Sequence, residues 1–598
     1  MANAFIESLT RIYLLVDEAY FQNKKSLLLA DRSLSRVIDF YLRCKSYDIK
    51  PIIGQTISFA GQDIILLCRN LDAYKILVCH SLDFQETEKN PFRFIDFPLT
   101  EDECKNFICV SNQSNLKLQK YFGTRFYIQS DFSKVQEITQ QVAEKIDYIF
   151  PENFFATPEI HKRILDSFPE FENAENQLRL LVREGFEKKH KEFEDVAAAK
   201  DRLGYELEDI VSHHWENIFL FHHEIISWCS RNGIEYGLEQ GSAASSLVAF
   251  LLGITNVNPL KYGLLYERFL NPERLCYPQF CISYEPEKID DIANHLKEKY
   301  GSDHVIKIAE SEEISEMKMS RNSAAFVVTK DCAAEYLPVL MDETPGGLYT
   351  AYSDKSLDHV GLYRTMLIGL DELTKLKRIA EEINKNTDIK FDYKTVPLND
   401  KKVLAEFSKG KPEELFRFFA PKMEKLIKLK PYNFSDLIFL YAMYCPCFVY
   451  KKDLVIQIFE QEKTDEKFFP ACDDLLTETC GLPIFQEQII QIFNRLAGYT
   501  YGEGDMLRRA MAKKQVHELE NRKKDFVLNT KERGIISSEE LAQRYFECLV
   551  PLTRNAIQKA CSVSVTLMAY WEMYMNVHYP TEYKKINHCY HNKNTICL

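Results

Sequence analysis

Apolar positions recur at helical spacing through Val37-Ile38-Asp39-Phe40-Tyr41-Leu42-Arg43-Cys44-Lys45 and then close into a short run, Ile49-Lys50-Pro51-Ile52-Ile53-Gly54, that reads as a strand ended by its glycine. Asp63-Ile64-Ile65-Leu66-Leu67-Cys68 reads as a buried strand. Residues 1–190 are therefore expected to be mixed α/β, with the charged helical stretch from Asn173 to Arg202 leading out of them. A second region, 191–375, contains helices around 205–230, the glycine- and serine-rich run Gly237 to Ser246, an apolar helix Leu247 to Leu252 and a strand Ala324-Ala325-Phe326-Val327-Val328. From 376 to 583 helical spacing dominates, as in Leu415, Phe418, Phe419 and again in Ile489, Ile490, Ile492, Phe493, Leu496. The last residues, 584–598, are polar and read as a loose tail. No internal repeat is visible.

Composition narrows the class. A chain of 598 residues exceeds one ordinary core, so three to five domains are expected. The hydrophobic fraction of 46% and the charged fraction of 27% are those of a soluble globular protein, and 40 Phe against 21 Gly argue against disorder. No secretory signal opens the sequence, and the longest uncharged stretch, Leu437 to Tyr450, contains Pro446 and is too short to span a bilayer. The 17 cysteines are then expected to be reduced and mostly buried, and the cytoplasm is the simplest address. Neither Cys445-Pro446-Cys447 nor Cys472 with Cys480 has the second close pair that a structural zinc site needs. With 88 acidic against 75 basic residues the formal charge is −13, so any contact with nucleic acid must be local.

Several blocks, in order, carry a resemblance. Gly241-Ser242 through Ser246-Leu247-Val248-Ala249-Phe250, followed by Leu252-Gly253-Ile254-Thr255, is similar to the phosphate loop and helix of C-family bacterial replicative polymerases, the polymerase III alpha subunits. Tyr262-Gly263-Leu264-Leu265-Tyr266-Glu267-Arg268-Phe269-Leu270-Asn271-Pro272-Glu273-Arg274 resembles the block that follows it there. Phe485-Gln486-Glu487-Gln488, Leu496-Ala497-Gly498-Tyr499 and Asp505-Met506-Leu507-Arg508-Arg509-Ala510-Met511-Ala512-Lys513-Lys514 resemble the family's fingers. The resemblance runs from about residue 26 to 583. It implies an α/β multidomain protein: a shortened PHP-like domain over 1–190, a polymerase beta-like nucleotidyltransferase palm over 191–375, mostly helical fingers over 376–583, and the tail.

The family's chemistry is not matched. In the PHP-like part, Leu28-Leu29-Ala30-Asp31-Arg32 stands where an apolar strand ends in Thr-Asp-His, and the first histidine of the chain is His80. A cation at Arg32 would repel the ions a phosphoesterase needs, so a degenerate packing domain is expected. Nucleotide addition requires divalent ions held by carboxylates. The family's aspartates match Cys281 and Ser283, in Pro278-Gln279-Phe280-Cys281-Ile282-Ser283-Tyr284, and Met366, just before Leu367-Ile368-Gly369-Leu370. None offers the hard anionic oxygen that magnesium prefers. Asp371 and Glu372 lie close in sequence, but the shift alters their depth and facing.

Phosphate-binding residues are better matched. Gly241 and Ser242 belong to the loop, although Leu238-Glu239-Gln240 replaces the family's arginine with an acidic neighbour. The alternative for this loop is an ordinary helix start capped by Ser245 or Ser242. Arg268, Arg364, Arg508, Arg509 and Lys513 match positions that in the family surround the incoming nucleotide. The alternative is that Arg508 and Arg509 pair locally with Glu503 and Asp505. Only Glu285 to Arg321 fills the interval that holds the family's thumb, so the thumb is expected to be reduced or absent. After His578-Tyr579-Pro580 little remains for the helix-hairpin-helix, OB and clamp- and tau-binding regions.

The resemblance thus implies a polymerase-like pseudoenzyme of DNA replication or repair, acting by binding or scaffolding, with a replication or repair protein or DNA in a local basic cleft as partner. No cofactor is expected. Two alternatives stay open: an active polymerase with a relocated site for Mg2+ and a deoxynucleoside triphosphate, and an obligate structural partner of a true polymerase that does not itself touch DNA.

Overall fold

The computed structural model describes residues 9–84, 97–129, 142–239, 241–308, 323–341, 347–409, 415, 418, 431–444, 469–513, 516–536 and 538–594. The chain divides into two compact units. The first takes Met1–Glu170, Asp290–Lys318 and Ala324–Met366; the second takes Phe171–Ile289, Met319–Ser323 and Leu367–Leu598.

In the first unit, five strands form one sheet in chain order: β1 (Ser26–Asp31), β2 (Lys50–Phe59), β3 (Gln62–Cys68), β4 (Phe107–Ser111) and β5 (Phe126–Ile128). β1 and β2 are parallel, and the connection that parallel strands require contains the helix Val37–Ser46, which buries Val37, Ile38, Phe40, Tyr41 and Cys44. β2 turns into antiparallel β3 through Ala60 and Gly61, both at positive φ, as a two-residue hairpin loop demands. Leu28, Ile52, Ile65, Leu67, Ile108 and Val110 supply one core of this sheet.

Gly54 does not end its strand, contrary to the sequence reading. β2 continues to Phe59, and Gly54 sits opposite Leu67, where a Cβ would stand 2.9 Å from the Leu66 carbonyl oxygen. The glycine serves close approach of two backbones rather than termination.

Further strands follow along the chain: β6 (Tyr236–Glu239), β7 (Cys281–Tyr284), β8 (Val305–Ile308), β9 (Ala324–Val328), β10 (Val339–Met341), β11 (Leu348–Thr350) and β12 (Arg364–Gly369). Within the first unit their order is β10-β11-β8-β9, and all five residues of β9 are buried. β12 passes from the first unit to the second after Met366. In the second unit β6 and β7 are antiparallel, with Gly237 opposite Ser283, and Leu370 N–H donates to Tyr284 O at 2.9 Å. Of the interval Glu285 to Arg321, the helix Ile289–Tyr300 and β8 are described, and 309–322 lie outside the described residues.

The rest of the second unit is mainly helical. One core gathers around the helix Lys559–His578, with Val563, Met568 and Tyr570 against Leu376 and Ile379 of the helix Asp371–Asn386 and Phe434 and Leu437 of the helix Phe434–Tyr444. Leu415 and Phe418 join that core; Phe419 and Cys445-Pro446-Cys447 lie outside the described residues. A second core comes from the helices Gln486–Ala497, Tyr501–Ala512, Val516–Glu532 and Glu539–Asn555. Burial of Ile489, Ile492, Phe493 and Leu496 contributes roughly 1.5–3 kcal/mol each. The helix they belong to stops at Gly498, whose φ of 72° supplies the left-handed cap.

The polar end of the chain is not loose as far as Asn594. Residues Pro580–Asn594 form a helix, because Tyr583 is buried and donates to Glu572 at 3.0 Å while Lys585 pairs with Glu382. A few anchoring contacts outweigh the polar composition. Among the described residues no helix is long and apolar enough to cross a membrane.

Candidate functional site

The strand positions that match the family's aspartates are uncharged, and two of the three are buried. Ser283 is 0% exposed on β7, Met366 is 1% exposed on β12, and Cys281 is partly exposed at the start of β7. A thiol, a hydroxyl and a thioether do not fit magnesium, which takes hard oxygen ligands. Asp371 and Glu372 lie in the first turn of the helix Asp371–Asn386, Asp371 at the surface. Burial pushes the Glu372 carboxyl up to about 7, with the charges of Glu572 and Asp371 adding to the effect, so it is only half ionised near neutrality. Glu572 is held by the Lys375 ammonium and the Tyr583 hydroxyl. Among the described residues, no group of three or more His, Cys, Asp or Glu side chains could hold a metal ion.

At the end of β1 the Arg32 cation is paired with carboxylates of its own sheet. The Arg32 guanidinium donates to Asp63 Oδ2 at 2.7 Å and to Ser58 Oγ at 3.3 Å, and the Arg32 N–H donates to Asp31 Oδ1 at 2.7 Å. His80 lies on another element, its Nδ1 2.8 Å from Asp83 and its Nε2 3.5 Å from Glu103.

The glycine- and serine-rich loop leads into a helix, Leu247–Leu251, whose amides are already occupied. Its N-cap is Ser246, not Ser245 or Ser242: Ser246 Oγ accepts from Ala249 N–H at 3.1 Å. The Glu206 carboxylate, fully buried, accepts from Ser246 Oγ at 2.8 Å, Leu247 N–H at 2.9 Å and Val248 N–H at 3.0 Å, and from Arg202 Nε at 2.7 Å. An anion at this loop would have to use Gly241 and Ser242, which are partly exposed, rather than the helix start. Gln240 and the side chains of Leu238 and Glu239 lie outside the described residues.

Basic residues do come together in the second unit. The helix Tyr501–Ala512 opens with a reciprocal cap between Thr500 and Glu503, so Glu503 is committed to the helix start while Asp505 faces the arginines; burial raises the nearby Glu487 carboxyl, and the charge of Arg268 works against that rise. Asp505 Oδ1 accepts from Arg268 Nη1 at 2.9 Å and Arg508 Nε at 2.9 Å, and its Oδ2 accepts from Arg509 Nε at 2.6 Å. Arg268 also donates to Gln486 Oε1 at 2.6 Å. Asp505 is 0% exposed, Arg268 8% and Arg508 6%.

Electrostatics follow from this stoichiometry. Burial alone would raise the Asp505 carboxyl, but Arg268, Arg508 and Arg509 outweigh it and hold it down at about 2. Burial, then repulsion from Arg268, pulls Arg508 down to about 10. Asp505 alone cannot neutralise three guanidinium groups, and the buried Glu487 offsets part of the Arg268 charge. Lys513 is exposed where the helix ends, four residues beyond Arg509 and so near the same face. Arg364 is not part of this cluster: in the first unit it donates from Nε and Nη2 to the two oxygens of Asp358 at 3.0 and 2.9 Å, with Asp354 at 3.8 Å.

Two family models cover this ground. The Bacterial DNA polymerase III alpha NTPase domain matches residues 176–324, and the Bacterial DNA polymerase III alpha subunit finger domain matches residues 372–534. The chain belongs to the bacterial DNA polymerase III alpha family. It is 28% identical over 559 residues to the DNA polymerase III subunit alpha of Borreliella burgdorferi, covering 80% of this chain and 47% of that protein. It is 28% identical over 457 residues to the subunit of Thermus aquaticus, covering 64% and 37%, and 27% identical over 532 residues to that of a Staphylococcus aureus strain, covering 77% and 49%. The chain thus spans about half the length, or less, of these curated relatives. Cys281, Ser283 and Arg268 fall inside the first matched region, and Asp505, Arg508, Arg509 and Lys513 inside the second.

Sequence reasoning missed Glu206 and Gln486. Arg202 and Glu206 are visible as an i,i+4 pair, but nothing local announces that the carboxylate reaches a helix start 40 residues on. Ser246 was recoverable, being the hydroxyl immediately before the apolar run.

Proposed function

We propose that this member of the polymerase III alpha family is non-catalytic and acts in DNA replication or repair by binding, using its arginine cluster on phosphates of DNA or nucleotide. The observation that carries the reading is the loss of hard anionic oxygen at Cys281, Ser283 and Met366, together with the retained Arg268, Arg508 and Arg509. Phosphoryl transfer depends on divalent ions at the first set of positions, whereas phosphate recognition needs only the second. On this reading the PHP-like part, with Arg32 paired to Asp63, is a packing domain.

The test is primer extension with a magnesium titration on the full chain. The expected result is no templated synthesis at any magnesium concentration, alongside salt-sensitive retardation of DNA that falls when Arg508 and Arg509 are both replaced by Ala. Templated synthesis abolished by Asp371→Asn or Glu372→Gln would instead assign a relocated metal site. Absence of DNA and nucleotide binding, with copurification of a replication protein, would assign a purely structural partner.

A further inference from the structure

Three arginines reach one buried carboxylate, and they do so through different atoms. Arg508 and Arg509 each spend Nε on Asp505, while Arg268 spends Nη1 on Asp505 and Nη2 on Gln486. Among the described residues the terminal nitrogens of Arg508 and Arg509 make no hydrogen bond to protein. A guanidinium can use one edge on an internal carboxylate and the other on a ligand, because its five N–H groups are fixed in a plane. Held at Nε, Arg508 and Arg509 keep both terminal nitrogens for an anion, the bidentate geometry that phosphate prefers.

We infer that Asp505 is a positioning residue for phosphate binding: it fixes Arg508 and Arg509 by their Nε edges and so presents their terminal nitrogens to clustered phosphates. This rests on the phosphate-binding reading of the cluster. It differs from a simple neutralising role, in which Asp505 competes with the ligand and its removal would strengthen binding. It also differs from a pure charge effect, in which lysine would serve as well as arginine.

The two opposing signs make the test. The full chain is titrated, without magnesium, with dATP and separately with a fluorescent single-stranded oligonucleotide, so that nucleotide and strand phosphates are distinguished. Arg508→Lys keeps the charge but replaces the rigid planar fork, with one edge for Asp505 and another for phosphate, by a single nitrogen that cannot offer the bidentate edge. It is expected to weaken whichever probe binds by about tenfold or more, the size of one charge-assisted hydrogen bond, at an unchanged thermal midpoint. Asp505→Asn, which adds net positive charge, is expected to weaken binding as well. Binding by Arg508→Lys within about twofold of the parent, or tighter binding by Asp505→Asn, would overturn the positioning role while leaving phosphate binding standing. If the parent chain binds neither probe, the phosphate reading itself fails and takes this inference with it. Should Asp505→Asn not fold, Arg508→Lys alone decides.

Discussion

Arg364 in the first unit and the Asp505 cluster in the second began, in sequence, as equivalent retained cations. In structure they are opposites. Arg364 is one guanidinium between two carboxylates, gripped at both oxygens by Asp358 and approached by Asp354. Arg268, Arg508 and Arg509 are three guanidinium groups on one carboxylate. The first arrangement sets two carboxylates against one cation, whereas in the second the Asp505 carboxylate is shared by three. Capacity for an outside anion is therefore set by local stoichiometry and by which edge of each arginine is already engaged, not by the presence of arginine.

The largest effect should come from removing the lone carboxylate. Asp505→Ala leaves two nearly buried guanidinium groups and a half-buried third without their common anion, and breaking a buried pair in this way costs about 3–5 kcal/mol. Urea unfolding should show the loss as a lower midpoint. If the variant is as stable as the parent, the cluster is satisfied by something other than Asp505, and the contrast with Arg364 fails.

A second, smaller effect is in pH. The Asp505 carboxyl titrates at about 2 when folded, below its ordinary value of 3.8, so its contribution is fully present above about pH 4 and is lost as the pH falls through 2. A shift of that size corresponds to about 2 kcal/mol. The stability difference between parent and Asp505→Asn should narrow by that amount between pH 5 and pH 2. A difference independent of pH would mean that Asp505 packs rather than pairs.

The fold was legible where pattern is local. The periodicity of Val37 to Lys45 and the apolar runs at 63–68 and 324–328 are the elements observed. Gly54 misled because a glycine that ends a strand and one that admits a neighbouring backbone look alike along the chain. The tail misled because Tyr583 anchors it through Glu572, a contact that composition does not encode. At the site, Asp505 with Arg508 and Arg509 is an i,i+3 and i,i+4 set and could be read from spacing. The arrival of Arg268 from 237 residues away could not.

The smallest effect should be at the contrasting arginine. Asp358 is 40% exposed at its side chain, so water competes for it even though its geometry with Arg364 is bidentate. Asp358→Asn keeps one carbonyl acceptor for the guanidinium and leaves buried Asp354 nearby to offset the charge. The expected cost is about 0.5–1 kcal/mol, the range of a partly solvated pair. Thermal unfolding at low and high salt measures it: the loss should shrink with added salt, as screening weakens what the parent gains from the pair. A loss as large as that of Asp505→Ala would show that exposure and a second carboxylate do not buffer Arg364, and the stoichiometric distinction between the two regions would have to be abandoned.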